Sequence, residues 1–451
     1  MARHRPSQRK PDAAKPDAEL VIESMDDQAR GIARLDGKVT FVSGALPGER
    51  VRARYTRVRG RYDEARTLEV LEASAHRVPP RCPHFGLCGG CALQHLDIEA
   101  QRVLKAERLA DNLSRLDNVA PREWAPTLAA SPWHYRHRAR LGAKYAPKQD
   151  RVLVGFCERL VHRLAGIEEC HVLHPAIGLQ LDTLRECLSK LKLRARIPQI
   201  EVAMADDDAG GTPRGVMTIR HLDSLSDGDA LALKHIAAQT GLVIYLQSGS
   251  TDSVVPLDEA AVLTYTLPAQ DILVTFEPAD FTQVNPEINR LMVSQALAWL
   301  QPEAFDGVLD LFCGIGNFTL PVAKVQSRVL GLEGIATAVQ RATENAQANG
   351  LSHCEFEMAD LNDEATCRGY FRRGYQGLLL DPPRSGAASV MAAVGVHLPR
   401  RIVYVSCSPA SLARDLGTLV HKHGYTLMKV GMMDMFPHTN HVESMALLDR
   451  E

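Results

Sequence analysis

Apolar and polar positions along the chain fall into three successive rhythms. From residue 19 to 73, the short runs "ELVIES", "KVTFVS", "RVRARYT" and "ARTLEVLE" are separated by the turn-forming stretches "DDQARG" and "ALPGE", which predicts a small all-β module. Within "VRARYTR", Val51, Ala53 and Tyr55 share one face while Arg52 and Arg54 share the other. That alternation belongs to a half-buried strand with a cationic outer face. Next, "DIEAQRVLKAERLADNLSRL" (97–116) places apolar residues at helical spacing and predicts one long amphipathic helix. Residues 120–270 mix strand and helix patterns without a clear motif. From about residue 271 to the end, strand and helix patterns alternate in the manner of a parallel α/β sheet.

Composition refines this picture modestly. At 451 residues and 45% apolar content, the chain can bury several cores, and roughly 100–200 residues per domain gives two to four domains. The net charge of -2 conceals an uneven distribution. Residues 1–81 carry seventeen Lys and Arg against twelve Asp and Glu, and residues 101–151 eleven against five. A basic N-terminal third suits contact with a polyanion, although such runs also serve as solvated faces. The opening "MARHRPSQRKPDAAKPD" is basic and proline-bearing with no apolar centre, so residues 1–13 read as a disordered basic arm rather than a signal peptide. No apolar run reaches the roughly 20 residues of a membrane span. A cytoplasmic location is therefore expected, with the ten cysteines read as thiols, ligands or nucleophiles.

Chemistry concentrates in the last third. "GVLDLFCGIGNFTLPVA" (307–323) is an apolar strand, a glycine-rich bend and a helix start; Gly314 and Gly316 let the backbone approach a ligand closely. A second strand, "RVLGLEG", ends at Glu333, placed to accept both hydroxyls of a ribose. The pattern is neither a P-loop nor a full dinucleotide fingerprint, since position 319 is Thr. S-adenosylmethionine fits better, having a ribose and adenine but no pyrophosphate. The strand "EFEMAD" delivers Asp360 toward the adenine amino group, and "GLLLDPPRSG" delivers Asp381. Cys313 reads as packing. In "DPPR" the fourth residue is Arg384 rather than the aromatic of amino-methyltransferases, which argues against methylation of nitrogen.

"VYVSCSPASLARD" (403–415) sets Cys407 between a buried strand and a helix with Pro409 in its first turn. A thiol there opens on the same sheet edge as the cofactor bend. Carbon 5 of uracil is too poor a nucleophile to take a sulfonium methyl unaided; a thiolate added at carbon 6 supplies the missing electron density. The reaction also needs a base, and "MFPHTNHVESMALL" (435–448) offers His438, His441 and Glu443. Burial raises a carboxylate's proton affinity, which suits Glu443, with either histidine as the substitute.

"DLFCGIGNF", "LLLDPPRSG", "YVSCSPASLARD", "FPHTNHVESMALL" and "FEPADFTQVNPEINRLM" together resemble the RNA uracil-C5 methyltransferase family over residues 276 to the end. The resemblance implies Cys407 as nucleophile and Glu443 as base. It also implies methyl-donor contacts from Gln283, Phe312, Asn317, Glu333, Asp360 and Asp381.

"CPHFGLCGGC" spaces Cys82, Cys88 and Cys91 as C-x5-C-x2-C, a metal pattern in a reducing compartment. The spacing alone fits zinc and iron–sulfur equally, and Cys157 and Cys170 are the nearest candidates for a fourth ligand. Resemblance to the ribosomal branches of the same family implies a [4Fe–4S] cluster with Cys170 as the fourth ligand; because methyl transfer changes no oxidation state that iron would supply, the cluster reads as structural. Residues 14–73 resemble a TRAM domain, an OB-like RNA-binding barrel. Barrel and cluster together resemble the branch acting on uracil 1939 of 23S ribosomal RNA.

The expected architecture is therefore α/β. It comprises the arm (1–13), the TRAM barrel (14–73), a central α+β iron–sulfur domain (74–270) and a Rossmann-like S-adenosylmethionine-dependent methyltransferase domain (271–451). By the same resemblance, helix 97–116 packs with the last of these. The expected partner is 23S ribosomal RNA and the expected state a monomer. Basic and aromatic residues in "WHYRHRARLGAKY" (133–145) are candidate RNA contacts, or an ordinary edge strand. Cytosine-C5 methylation is the nearest alternative, but it usually takes a second cysteine after the Asp-Pro, and "DPPRSG" has none. An inactive iron–sulfur RNA-binding protein is another, opposed by the intact Cys407 and Glu443.

Overall fold

In the computed structural model, which describes residues 15–159, 161, 163–207, 214–250 and 253–450, the first module is a six-stranded sheet. The arm expected at 1–13 lies outside the described residues. The strands are β1 (Ala18–Val21), β2 (Ser24–Met25), β3 (Arg30–Leu35), β4 (Lys38–Ser43), β5 (Arg50–Val58) and β6 (Tyr62–Glu72), in the order β1-β5-β6-β4-β3-β2. β1 and β2 belong to one run of chain, yet β1 pairs with β5 and β2 with β3. The segment that begins the sheet thus also closes it into a barrel. Val51 and Ala53 point into the core with Leu20, Val42 and Ala65, as the alternation requires. The outer face departs from the expected cationic strip: Arg52 pairs with Glu69 at 2.8 Å and Arg54 with Asp17 at 2.9 Å. Cross-strand and flanking carboxylates balance the charge there, and exposed pairs of this kind add little stability.

The barrel and the chain through Gly86 join Cys91–Gln101 and His438–Asn440 in one compact unit; Leu87–Gly90, Arg102–Pro437 and the residues from His441 onward form a second. The second unit contains β7 (Glu123–Trp124) and a six-stranded sheet. That sheet is made of β8 (Arg138–Ala146), β9 (Arg151–Gly155), β10 (Gln199–Met204), β11 (Gly215–Arg220), β12 (Val243–Gln247) and β13 (Val254–Pro256), ordered β13-β12-β11-β10-β8-β9. β8 is therefore not an edge strand. Its basic residues serve the fold: Arg138 donates to the Pro278 carbonyl at 2.7 Å, Arg140 pairs with Glu201 at 2.9 Å, and Tyr135 is buried. Tyr135 and Arg138 are thereby taken up by the fold, while Arg140 and Lys144 stay exposed.

A hairpin of β14 (Leu263–Leu267) and β15 (Ile272–Phe276) leads into the α/β sheet. Its strands are β16 (Val308–Leu311), β17 (Val329–Glu333), β18 (Cys354–Met358), β19 (Gly377–Leu380), β20 (Arg401–Ser406), β21 (Thr426–Met433) and β22 (Glu443–Asp449). Their order is β18-β17-β16-β19-β20-β22-β21-β7. β16 to β20 run parallel, while β22 inserts antiparallel between β20 and β21. Every residue of β16 and β19 is buried, as strands covered on both faces must be. Strand order reverses between β16 and β19, and the crevice at that reversal is where open α/β sheets bind ligands.

The predicted amphipathic helix is present as Ile98–Asp117. Its Leu109 and Leu113 are fully buried in the same cluster as Leu309, Leu330, Tyr404 and Leu416, so an early helix completes the core of the last sheet. Among the described residues no helix is long and apolar enough to cross a membrane. On the same helix, the buried Lys105 ammonium donates to Asp434 Oδ1 at 2.8 Å and to the Phe436 carbonyl at 2.9 Å. Burial holds Lys105 below its usual pKa, with Asp434 opposing. Lys105→Ala leaves the Asp434 carboxylate without its nearest buried cation. The expected loss is about 3–5 kcal/mol of unfolding free energy in urea titrations.

Candidate active site

Past Leu311 the chain leaves the sheet through Phe312 (φ 64°), Gly314 (φ 56°) and Gly316 (φ 97°) before the helix Thr319–Ala323. A left-handed phenylalanine costs roughly 1–3 kcal/mol, a conformation that persists where surroundings enforce it, as at ligand sites. The Gly314 N–H donates to Glu333 Oε2 at 3.1 Å, and Glu333 Oε1 accepts from Gly334 at 2.8 Å and Ile335 at 3.1 Å. Backbone amides thus hold the acid at the end of β17 in a fixed orientation. Asn317 Oδ1 accepts from the Tyr265 hydroxyl and from Asn289, both at 2.9 Å, and its Nδ2 donates back to Asn289 at 2.9 Å. Asp360, just beyond β18, accepts from the Asn362 N–H at 2.9 Å. Asp381, just beyond β19, accepts from Gln283 Nε2 at 3.4 Å.

The thiol sits at a junction that its neighbours define. Ser406 ends β20, Ser408 caps the helix Pro409–Gly417 by accepting from the Ser411 N–H, and Pro409 occupies the first turn. Ser406 pairs with Ser444 across β20 and β22. The next rung of this antiparallel register therefore sets Cys407 opposite Glu443. All eight sequence-predicted catalytic and donor-contact residues (Gln283, Phe312, Asn317, Glu333, Asp360, Asp381, Cys407 and Glu443) line one cavity of ≈ 1000 Å³.

Asp381, Cys407 and Glu443 keep partial access through that cavity but are enclosed by protein elsewhere. Desolvation pushes the Asp381 carboxyl up to about 7. It pushes Glu443 up to about 8, with Asp381 repulsion adding and Arg384 and Lys105 opposing. The Cys407 thiol rises to about 11, from burial first and then from Glu443 and Asp381, again with Arg384 opposing. At neutral pH the thiol is protonated, and a positive charge placed beside it favours the thiolate.

The histidine alternatives fare less well. Burial lowers His441 to about 4, and His441 accepts from Arg384 at 3.3 Å. His438 is tied through its N–H and ring nitrogen to the Gln101 side chain. The reading of the sequence passed over Asp310, whose carboxyl is buried beneath the glycine-rich loop, pushed up to about 8, and accepts from Thr319 at 2.6 Å; its place at the head of "DLFCGIGNF" was the available signal. Asn289 and Tyr265 went unnoticed because only the folded chain brings them to Asn317. Cys313 is buried, as expected of a packing residue. Among the described residues, no three His, Cys, Asp or Glu side chains form a group able to hold a metal ion.

A reversed parallel sheet with a glycine-rich bend and an acid at the end of each neighbouring strand defines a Rossmann-like methyltransferase of the S-adenosylmethionine-dependent class. A model of the tRNA (Uracil-5-)-methyltransferase family matches residues 99–451, and a TRAM domain model matches residues 18–68. The chain belongs to this uracil-C5 methyltransferase family. It is 46% identical over 444 residues, 98% of this chain and 99% of the other, to a protein of Methylococcus capsulatus named 23S rRNA (uracil(1939)-C(5))-methyltransferase RlmD. A protein of the same name from Stenotrophomonas maltophilia is 46% identical over 95% of this chain and 96% of its own. The fold resembles the crystal structure of Pyrococcus abyssi tRNA (uracil-54, C5)-methyltransferase in complex with S-adenosyl-L-homocysteine, with a TM-score of 0.73 and 23% identity over 96% of this chain and 100% of that one.

The raised Glu443 value has a stability consequence. A carboxyl whose folded pKa lies above its unfolded value of 4.5 contributes fully below pH 4.5, and that contribution is lost as pH rises through about 8. Glu443→Gln is therefore expected to melt at the same temperature as wild type near pH 4 and above it at pH 9. Differential scanning calorimetry across that range measures the difference.

Proposed function

We propose that this chain methylates carbon 5 of a uridine in 23S ribosomal RNA, of the uracil-1939 type, with S-adenosylmethionine as donor. The observation that carries the reading is the β20–β22 register, which sets the Cys407 thiol opposite the Glu443 carboxyl in the cavity formed by the glycine-rich loop. Family membership supports the reaction, and near-full-length relatives at about 46% identity support the particular base.

The Cys407 sulfur adds to carbon 6 of the flipped uracil, and the ring becomes an enolate with electron density on carbon 5. Carbon 5 displaces the methyl group from the sulfonium, leaving S-adenosylhomocysteine. Glu443 removes the remaining carbon-5 hydrogen as a proton, the freed pair restores the 5,6 double bond, and the carbon–sulfur bond breaks with its pair returning to Cys407. A bound sulfonium brings the positive charge that favours the thiolate of Cys407 and the carboxylate of Glu443.

Glu333 takes the ribose hydroxyls and Asp360 the adenine amino group, with Gln283, Phe312, Asn317 and Asp381 completing the donor site. Uracil is favoured over cytosine because the loop after Asp381 has no second cysteine. Extracting the base from its stack costs a few kcal/mol, so a loop or single-stranded uridine is the substrate. The TRAM barrel (14–73) binds RNA, the central domain spans 74–270 and the methyltransferase domain 271–451, and the enzyme acts as a cytoplasmic monomer.

Cys82, Cys88, Cys91 and Cys170 hold a [4Fe–4S] cluster. Donor chemistry supports this: the Val172 and Leu173 N–H groups are directed at the Cys170 sulfur, and the Gly90 N–H donates to Cys88 Sγ at 3.4 Å. Amides on sulfur favour the thiolate that ligates iron. The cluster cross-links its segment of chain and takes no part in methyl transfer.

RNA bearing 5-fluorouracil tests the chemistry, because fluorine at carbon 5 blocks elimination and traps the thioether. Wild type is expected to form an adduct mapped to Cys407 by mass spectrometry. Cys407→Ala should lose both adduct and methylation, and Glu443→Gln should accumulate adduct on ordinary RNA while turnover falls by about 10²–10⁴-fold. Full methylation by Cys407→Ala would refute the mechanism. For the cluster, anaerobically purified protein is expected to contain about four iron atoms per chain; Cys170→Ser should lower the iron content, measured by colorimetric assay.

A further inference from the structure

Two of the motifs end in residues that the reaction leaves unused: Ser385 and Gly386 in "DPPRSG", and Arg414 and Asp415 in "SCSPASLARD". In the folded chain they meet. Asp415, buried on the helix that starts just after Cys407, accepts through Oδ2 from the Ala387 N–H at 2.8 Å and from the Tyr404 hydroxyl at 2.6 Å. Arg414 pairs with Asp415 Oδ1 at 2.8 Å and donates to the Ser385 carbonyl at 2.9 Å. Between those two anchor points, Gly386 lies in the left-handed region at φ 77°, and a Cβ there would run into the Arg414 guanidinium and the Asp415 carboxylate. Tyr404 is wholly buried in β20, the strand that ends beside Cys407.

The helix after the thiol is therefore bonded to the neighbouring loop through that loop's backbone atoms, and the strand before the thiol is bonded to the same helix through Asp415. That loop begins at Asp381, whose N–H donates to the Leu311 carbonyl at 3.4 Å, and it carries Arg384 at its middle. The sheet holds Asp381 independently. The hold on the Arg384 backbone comes from the bonds at residues 385–387, while its guanidinium donates to His441 Nδ1 at 3.3 Å.

We infer that Tyr404, Arg414 and Asp415 are positioning residues that clamp the loop 383–387 to the strand–helix junction and so keep the Arg384 cation beside the Cys407 thiol. The inference rests on the thiol chemistry proposed above. A buried ion pair serving only to hold the fold together would leave the thiol's electrostatic surroundings unchanged. A clamp sets them, because the charged groups acting on Cys407 are Glu443 from β22 and Asp381 and Arg384 from this loop, and of these Arg384 is the one whose backbone the clamp holds.

The test is the pH dependence of iodoacetamide labelling at Cys407, followed on the Cys407 peptide by mass spectrometry in the full-length protein. Arg414→Met is the main variant because that side chain is half exposed and its replacement leaves the core intact; Asp415→Asn is the second. In both, the labelling midpoint is expected to rise by at least about half a pH unit as Arg384 loosens. The kcat for RNA methylation should fall at least about tenfold, with both KM values little changed. Arg414→Lys, which keeps a donor toward Ser385, should recover part of each effect. A labelling midpoint in Arg414→Met equal to wild type overturns the inference, whatever happens to kcat or Tm. Failure of the underlying reading shows separately, as wild-type protein that forms no adduct with 5-fluorouracil RNA.

Discussion

A thiol and two carboxyls share one desolvated cleft, and much of the molecule's chemistry follows from that crowding. Each group, left alone, would be stabilised by water when ionised. Enclosed together at the ends of β19, β20 and β22, they hold their protons to higher pH, and Arg384 offsets the effect only in part. The free cleft is thus electrostatically unfinished. In the proposed mechanism a cationic donor completes it, so that Cys407 and Glu443 reach their reactive forms when the methyl group is at hand. This links substrate binding to activation without a moving part, and it spares the resting protein an exposed thiolate open to oxidation.

The surrounding architecture supplies the enclosure. Parallel strands buried on both faces deliver one polar residue each to a common edge, and the antiparallel β22 brings Glu443 back to that edge from the far end of the chain. A helix from before the central sheet closes one side with Leu109 and Leu113. Its Lys105 anchors the segment leading to Glu443 through Asp434 and Phe436.

How much of this was legible in the sequence depended on the range of the interactions involved. The junction at Cys407 could be read locally, since a β-branched run, a capping serine and an early proline each act within a few residues. The glycine-rich bend and its strand-terminal acids were legible for the same reason. By contrast, the Cys407–Glu443 register depends on a strand inserted out of order; the residues offered Glu443 with His438 and His441 as alternatives, and the family resemblance singled out the pair. The reading of β8 as a possible edge strand failed because β10, some fifty residues later, covers it. The cationic face of β5 was correctly placed, but its carboxylate partners come from Asp17 and Glu69, which no periodicity within β5 could reveal.

The outermost rung of the α/β sheet has a bearing on how the chain is made. Glu123 and Trp124 pair with Lys429 and Val430, so one half of that rung leaves the ribosome long before the other. At typical synthesis speeds the wait is roughly 15–60 s. Throughout it, the apolar stripe of Ile98–Asp117 has no finished surface to rest on. Folding of the second unit is thus a late event that awaits the carboxyl end, and a nascent chain stalled short of residue 400 would present an open, sticky helix to whatever chaperone is near.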